Sequence, residues 1–288
     1  MKTSSEFKST FLLGGDLKIN RMGYGAMRIT GPQIFGMPEN PQNSINVLQR
    51  AVELGVNFID TADQYGPFTS EQLIAEALHP YQKDVIIGTK GGLVRFGPWG
   101  DINNDASPQH LQDALDGSLR RLKLEHIDLY QLHRIDPKVP AERSFEFLAN
   151  AQQEGKIRHL GLSEVSVDDI KHAQQFFKVV SVQNRYSVLE RQWEPVLEYC
   201  KSEGIAFIPW FPIGGGMVEL EEKLKGIANR KGITLHQLAL SWLLHHADNI
   251  LLIPGTGSVA HLEENINAAS IGLTADDMKE LDNLVPLQ

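Results

Sequence analysis

The stretch SPQHLQDALDGSLRRLKLEHIDLYQLH (107–133) decides the fold. Ser107 is a candidate N-cap, Pro108 suits a first helical turn, and Leu111, Leu115, Leu119 and Leu122 recur at helical spacing. HIDLYQLH (126–133) is then a short apolar run of strand type, and DVIIGTK (84–90), before the helix, is another. Strand, helix and strand in succession imply a right-handed crossover within a parallel sheet. The same alternation runs outward in both directions. Upstream lie RMGYGAM (21–27) with SINVLQRAVELG (44–55), then NFIDTA (57–62) with SEQLIAEALHP. Downstream lie ERSFEFLANAQQEGK, RHLGLSE (158–164) with VDDIKHAQQFF, and VSVQNRYS (180–187) with WEPVLEYCKSEG. AFIPWFP (206–212) with KLKGIANRKGITLHQLALSWLLHH and NILLIPG (249–255) with VAHLEENINAAS complete eight units. Gly55, Gly155 and Gly204 stand where helix C-caps belong. Eight units favour a closed α/β barrel, the (β/α)8 or TIM-barrel class, over an open doubly wound sheet. TFLLGGDLKIN (10–20) reads as a β-hairpin with a Gly-Gly turn, fit to plug one barrel end, and TADDMKELDNLV (274–285) as an extra terminal helix. No stretch reads as a linker, so residues 1–288 are expected to form one barrel domain.

Composition agrees. The chain of 288 residues exceeds the usual single-domain size of about 100–200 residues, which barrels routinely do. Hydrophobic residues make up 42% and charged residues 22%, as in a globular chain with a sizeable core. A formal charge of −9 argues against nucleic acid or an anionic membrane as partner. Cys200 is the sole cysteine, which rules out an internal disulfide and any multi-cysteine metal site. The start is polar and no run approaches the roughly 20 apolar residues of a spanning helix, so a cytoplasmic protein without membrane or metal partners is expected. GYGAMR (23–28) lacks the third glycine of a dinucleotide fingerprint, and no phosphate loop of the nucleotide-hydrolase type occurs. His245 and His246 are adjacent, which prevents them from facing one metal from a helix.

Function in such a barrel belongs at the C-terminal ends of the strands. Three consecutive strands there end in ionisable groups: Asp60 after NFI, with Tyr65 in the following loop, then Lys90, then His133. Each residue alone has a plain structural explanation, since a carboxylate or lysine closing a buried strand is often a satisfied ion pair. Together they are harder to dismiss. A buried lysine needs a counter-charge, and Asp60 on the neighbouring strand supplies one. A tyrosine beside that lysine is expected to have a lowered pKa, so that it can donate a proton to a carbonyl oxygen while a neutral histidine fixes that oxygen.

The strings NFIDTADQYG, IIGTKGG, IDLYQLH and GLSEVS, in this order and spacing, resemble the aldo-keto reductase superfamily over essentially the whole chain. The resemblance implies a (β/α)8 barrel and NAD(P)H-dependent reduction of an aldehyde or ketone. It assigns the catalytic tetrad to Asp60, Tyr65, Lys90 and His133. It also implies that Ser163 and Gln183 hold the nicotinamide carboxamide and that Trp210 stacks on the nicotinamide ring. The asparagine usual after that serine is Glu164 here. PIGGG (212–216), with Pro212 and Gly214, matches the loop over the pyrophosphate, and Gly25 at the first strand end joins the cofactor set. IPGTGSVAHLEEN matches the clamp on the adenosine 2′-phosphate. Gly255 and His261 stand where many relatives have lysine and arginine, Thr256 and Ser258 supply hydroxyls, and Glu264 and Asn265 match adenine contacts.

The PGT-type loop leads to NADP(H) as the expected cofactor, with NAD(H) as the alternative. GYGAMRITGPQIFG and DQYGPFTSEQLIAEALHPY look like the pyridoxal reductase (pyridoxine dehydrogenase) branch and line the barrel mouth, so they bear on substrate. The expectation is a monomeric reductase of a small aldehyde or ketone. One rival is a non-catalytic, cofactor-binding regulatory barrel, which would show an eroded tetrad or an added interaction segment; neither is visible. Another is an aldolase using Lys90 as a Schiff base.

Overall fold

Gly14 (φ 66°) and Gly15 (φ 102°) turn the chain between β1 (Thr10–Leu13) and β2 (Leu17–Asn20), the expected N-terminal hairpin. The computed structural model describes residues 8–98, 100–212 and 217–284. After the hairpin come β3 (Tyr24–Gly25), α1 (Pro41–Glu53), β4 (Phe58–Asp60), α2 (Thr69–Leu78) and β5 (Ile86–Gly91). A second hairpin follows, β6 (Leu93–Arg95) and β7 (Ile102–Asn104), then α3 (Pro108–Leu122), β8 (Ile127–Leu132) and α4 (Ala141–Gln153). The remainder is β9 (Ile157–Ser163), α5 (Val167–Ala173), β10 (Val179–Gln183), α6 (Glu194–Ser202), β11 (Ala206–Phe207), α7 (Met217–Lys231), α8 (Leu235–His246), α9 (Val259–Asn267) and α10 (Ala275–Asp282). Seven strands pair in parallel in the order β11-β10-β9-β8-β5-β4-β3.

The eighth position closes the sheet on itself. Residues 249–253 bridge Phe207 through Ile250 and Met22 through Leu252. Leu251 N–H donates to Phe207 O and Gly23 N–H to Leu252 O, at 2.9 and 2.8 Å. Closure requires bare backbone: a Cβ on Gly25 would sit 2.5 Å from Ile253 O.

Strand periodicity then sorts the interior into layers. Phe58, Ile86, Leu129, Val180, Ala206, Ile208 and Leu251 form an apolar interior layer, and Leu13, Leu17 and Ile19 of the hairpin pack beneath it. The hairpin is thus the plug foreseen. Two residues further along β4 and β8 the same face carries Asp60 and Gln131, and β5 ends this row with Lys90. The outward faces, with Ile59, Ile87, Tyr130 and Leu160, pack against the helices in a larger core. There Leu111, Leu115 and Leu122 of α3 are fully buried; truncating any one to alanine removes about 2–5 kcal/mol.

Local signals behave as read. Ser107 caps α3 by accepting from His110 N–H, and Gly55, Gly155 and Gly204 have φ of 89°, 79° and 67°. Thr274 opens α10 with a capping box to Asp277. One reading needs correction: the seventh unit's long helical stretch is two helices, α7 and α8, because Gly232 (φ 64°) ends one and a Thr234–Gln237 capping box starts the next. The segment between Lys90 and α3, which the alternation leaves unassigned, contains the β6–β7 hairpin. Among the described residues, no helix is long and apolar enough to cross a membrane.

Candidate active site

Asp60, Lys90 and Gln131 meet because neighbouring parallel strands present the same pleat inward. Lys90 Nζ donates to Asp60 Oδ2 at 2.6 Å and to Thr61 O at 2.7 Å, and both side chains are almost wholly buried. The other carboxylate oxygen of Asp60 accepts from Gln183 Nε2 at 2.9 Å and Gln131 Nε2 at 3.3 Å. The pair is therefore saturated with partners, the condition under which a buried ion pair is tolerated. Burial works against the Lys90 ammonium, but Asp60 and then Tyr65 outweigh it and hold its pKa above the usual lysine value.

Tyr65 is placed by the loop leaving β4. Asp63 N–H donates to Lys90 O, Tyr65 N–H to Ala62 O, and Ser70 N–H to Tyr65 O. Gly66 (φ 101°) lets Thr69 close on the turn, since a Cβ there would lie 2.4 Å from the threonine Cβ. Lys90 Nζ stands 5.2 Å from the Tyr65 ring centroid, and the His133 ring meets Tyr65 edge-on at 6.1 Å. The expected lowering of the Tyr65 pKa is not what the site produces. Burial raises it, Lys90 pulls it down, Asp60 raises it again, and the net direction is up. Lys90 thus limits the rise instead of producing a phenolate at rest. Burial, Lys90 and Arg134 push His133 well below the usual histidine range, so it is neutral as expected, and its Nδ1 has no partner among the described residues.

A cavity of about 410 Å³ opens over this cluster. Asp60, Tyr65 and His133 line it, with Lys90 immediately behind. Of the cofactor positions named from sequence, Gly25, Ser163, Gln183, Trp210, Pro212 and Gly255 line it too. Gly214 lies outside the described residues. Thr256, Ser258, His261, Glu264 and Asn265 continue from Gly255 into α9 beyond the cavity wall. The Ser258 hydroxyl caps α9, and Thr256 Oγ1 accepts from Ser258 N–H, which leaves both hydroxyl protons free to donate. Asn265 is buried, and Glu264 already accepts from Thr234 Oγ1 at 2.5 Å. Glu263 pairs with Arg50 at 2.8 Å, so that acid does not oppose an anion at the loop.

Glu164, in the usual asparagine position, has φ 55°, a left-handed backbone that asparagine tolerates better. Its carboxylate accepts from Trp210 Nε1 and Arg185 N–H, both at 2.6 Å. It therefore fixes the indole instead of facing a carboxamide. Three cavity arginines were not singled out from sequence: Arg134, Arg28 and, on the β6–β7 hairpin, Arg95. Arg134, next to His133, donates to Ser163 Oγ at 2.9 Å and lines the cavity. Arg28, in the short turn after β3, lines it at the opposite wall, with its Cγ against Gly255. Adjacency to His133 was a signal for the first; the second had none, because Arg28 and Gly255 are joined only by barrel closure.

A nicotinamide dinucleotide fits this donor set. The cavity joins a neutral histidine whose Nδ1 has no partner among the described residues, a fixed indole face, a serine, a glutamine and the Arg28 guanidinium, with the half-buried Thr256 and Ser258 following on from Gly255. Comparison with known proteins agrees. Residues 21–286 match the model of the Aldo/keto reductase family. A Schizosaccharomyces pombe protein named uncharacterized oxidoreductase C215.11c is 50% identical over 93% of this chain and 87% of its own. The Escherichia coli pyridoxine 4-dehydrogenase is 41% identical over 96% of this chain and 98% of its own. An aldo-keto reductase from Klebsiella pneumoniae, solved in complex with NADPH, superposes with a TM-score of 0.81 at 25% identity, covering 98% of both chains. The chain belongs to the aldo/keto reductase family and is an NAD(P)H-dependent carbonyl oxidoreductase.

Proposed function

We propose that Tyr65 is the general acid of an aldehyde or ketone reduction, with Asp60, Lys90 and His133 as its supporting groups. The observation that carries this reading is the 2.6 Å Asp60–Lys90 pair with Tyr65 and His133 beside it at the floor of one cavity. Ser163, Gln183 and Trp210 would hold the nicotinamide of a bound cofactor, which would supply the hydride for the carbonyl carbon. As negative charge develops on the carbonyl oxygen, the Tyr65 hydroxyl transfers its proton there. The phenolate left behind is stabilised by the Lys90 ammonium, which Asp60 keeps charged. Neutral His133 orients the carbonyl oxygen by a hydrogen bond. In alcohol oxidation the Tyr65 phenolate is the base.

NADP(H) is the favoured cofactor. Arg28, whose Cγ lies against Gly255, would supply the cation that Gly255 and His261 do not, and Thr256, Ser258 and the start of α9 would complete the phosphate clamp. The name of the 41% identical relative, pyridoxine 4-dehydrogenase, makes pyridoxal the first substrate to try. The test is NADPH and NADH oxidation across a panel of aldehydes including pyridoxal. Turnover with NADPH preferred is expected; no turnover of any carbonyl with either cofactor contradicts the reading.

A further inference from the structure

Three arginines line the cavity: Arg28, Arg95 and Arg134. Among the described residues none has a carboxylate within ion-pair distance, which Arg50, Arg121, Arg158, Arg185, Arg191 and Arg230 have and the surface residues Arg120 and Arg143 do not. Among the described residues the only carboxylate lining the cavity, Asp60, is already paired with Lys90. In a chain of formal charge −9, the mouth of the site is a concentrated positive region.

Arg28 stands against the Gly255 loop and belongs to the cofactor's phosphate end. The other two follow strands of the tetrad, Arg95 on the hairpin after β5 and Arg134 directly after β8 and His133. Arg134 follows His133, and its Nη1 is anchored on His133 O and Ser163 Oγ. Among the described residues its Nε and Nη2 have no hydrogen-bond partner. Arg95, on the β6–β7 hairpin, is pinned by neutral carbonyls: Nη1 donates to Gln33 O and Ile34 O, and Nη2 to Pro98 O. Its Nε is buried and has no partner among the described residues. Both guanidinium groups are thus held by neutral oxygens, with the Glu164 carboxylate acting on Arg134 only from beyond ion-pair distance, and such fixed guanidinium groups suit forked recognition of an oxyanion. Around them Ile34, Leu93 and Ile102 supply apolar wall.

We propose that the substrate is a carbonyl compound bearing an anionic group, carboxylate or phosphate, received by Arg95 and Arg134 while Tyr65 addresses its carbonyl. This rests on the reductase reading above. The test compares matched pairs: 4-carboxybenzaldehyde against benzaldehyde, and pyridoxal 5′-phosphate against pyridoxal, each with saturating NADPH. The charged member of at least one pair is expected to show kcat/KM at least about tenfold higher, the scale of one charge-assisted hydrogen bond. Which pair shows it separates carboxylate from phosphate. Raising ionic strength from 0.02 to 0.3 M should erode the charged substrate's kcat/KM and leave the neutral one's flat. Arg95→Gln and Arg134→Gln should each collapse the charged-to-neutral ratio, chiefly through KM. Equal kcat/KM within both pairs overturns the anion site and leaves the reductase standing. Variants that weaken NADPH binding with the ratio intact assign the arginines to the cofactor and also overturn it. No turnover of any member refutes the reductase reading itself.

Discussion

Replacing Asp60 with asparagine removes the counter-charge of a fully buried ammonium while preserving size and the hydrogen bonds from Gln131 and Gln183. Lys90 then faces burial with only Thr61 O and Tyr65 as partners, so its pKa falls and it sheds its proton in the alkaline range where alcohol oxidation is assayed. Losing that charge matters to Tyr65. At 5.2 Å from the ring centroid, a unit charge is worth about 3 kcal/mol to the phenolate at an effective dielectric of about 20. Asp60 itself opposes the phenolate, less strongly than Lys90 favours it, so its removal returns part of this. A net loss of about 1.5–3 kcal/mol means oxidation slowed roughly tenfold to a hundredfold at fixed pH. The sign follows: Tyr65 becomes a weaker acid, less phenolate exists at each pH, and the rising limb of the oxidation profile moves to higher pH. The assay is initial rates of NADP+ reduction with the cognate alcohol from pH 6 to 11. A shift to lower pH would mean that Lys90 stays charged without Asp60. An unchanged profile at normal activity would reduce Asp60 to a strand-end hydrogen bonder.

Arg28→Gln should weaken NADPH binding about tenfold, the scale of one charge-assisted contact, and leave NADH within twofold; fluorescence titration reads both. His261→Arg should tighten NADPH about tenfold without helping NADH, by restoring a cation to the clamp. His133 is held neutral with its pKa below the unfolded value near 6.5, so the stability tied to it is present above that pH and lost as pH falls, by up to about 1.4 kcal/mol per unit. Urea midpoints at pH 7.5 and 5.5 should therefore converge in His133→Gln; equal acid sensitivity in both proteins contradicts a buried neutral imidazole.

The eight-unit alternation was legible because each strand's period of two and each helix's leucine spacing are local properties. So was convergence of Asp60, Lys90 and His133, since strand ends of a parallel barrel share one rim. The split between α7 and α8 was written in the sequence: Gly232 followed by Thr234 and Gln237 is a stop and a capping box, overridden by the apolar run around it. The β6–β7 hairpin likewise had LVR and a glycine-rich turn. The direction of the Tyr65 pKa was not legible, because proximity to Lys90 can be read from strand order but the depth of burial cannot. Arg28 and the shielding of Glu263 by Arg50 were also hidden, for both depend on which segments closure of the barrel brings together.

The central claim is that the Tyr65 hydroxyl delivers the proton, and Tyr65→Phe isolates that hydroxyl. The ring stays to fill its place beside His133, so the cavity and the cofactor's contacts are preserved. Single-turnover decay of NADPH absorbance with saturating aldehyde reads the chemical step directly, with NADPH affinity measured in parallel by fluorescence. Loss of a positioned general acid should slow that step by about a hundredfold or more, with NADPH affinity within about twofold of the parent. A variant that reduces aldehyde at a rate near the parent's, with cofactor bound as tightly, would contradict the mechanism.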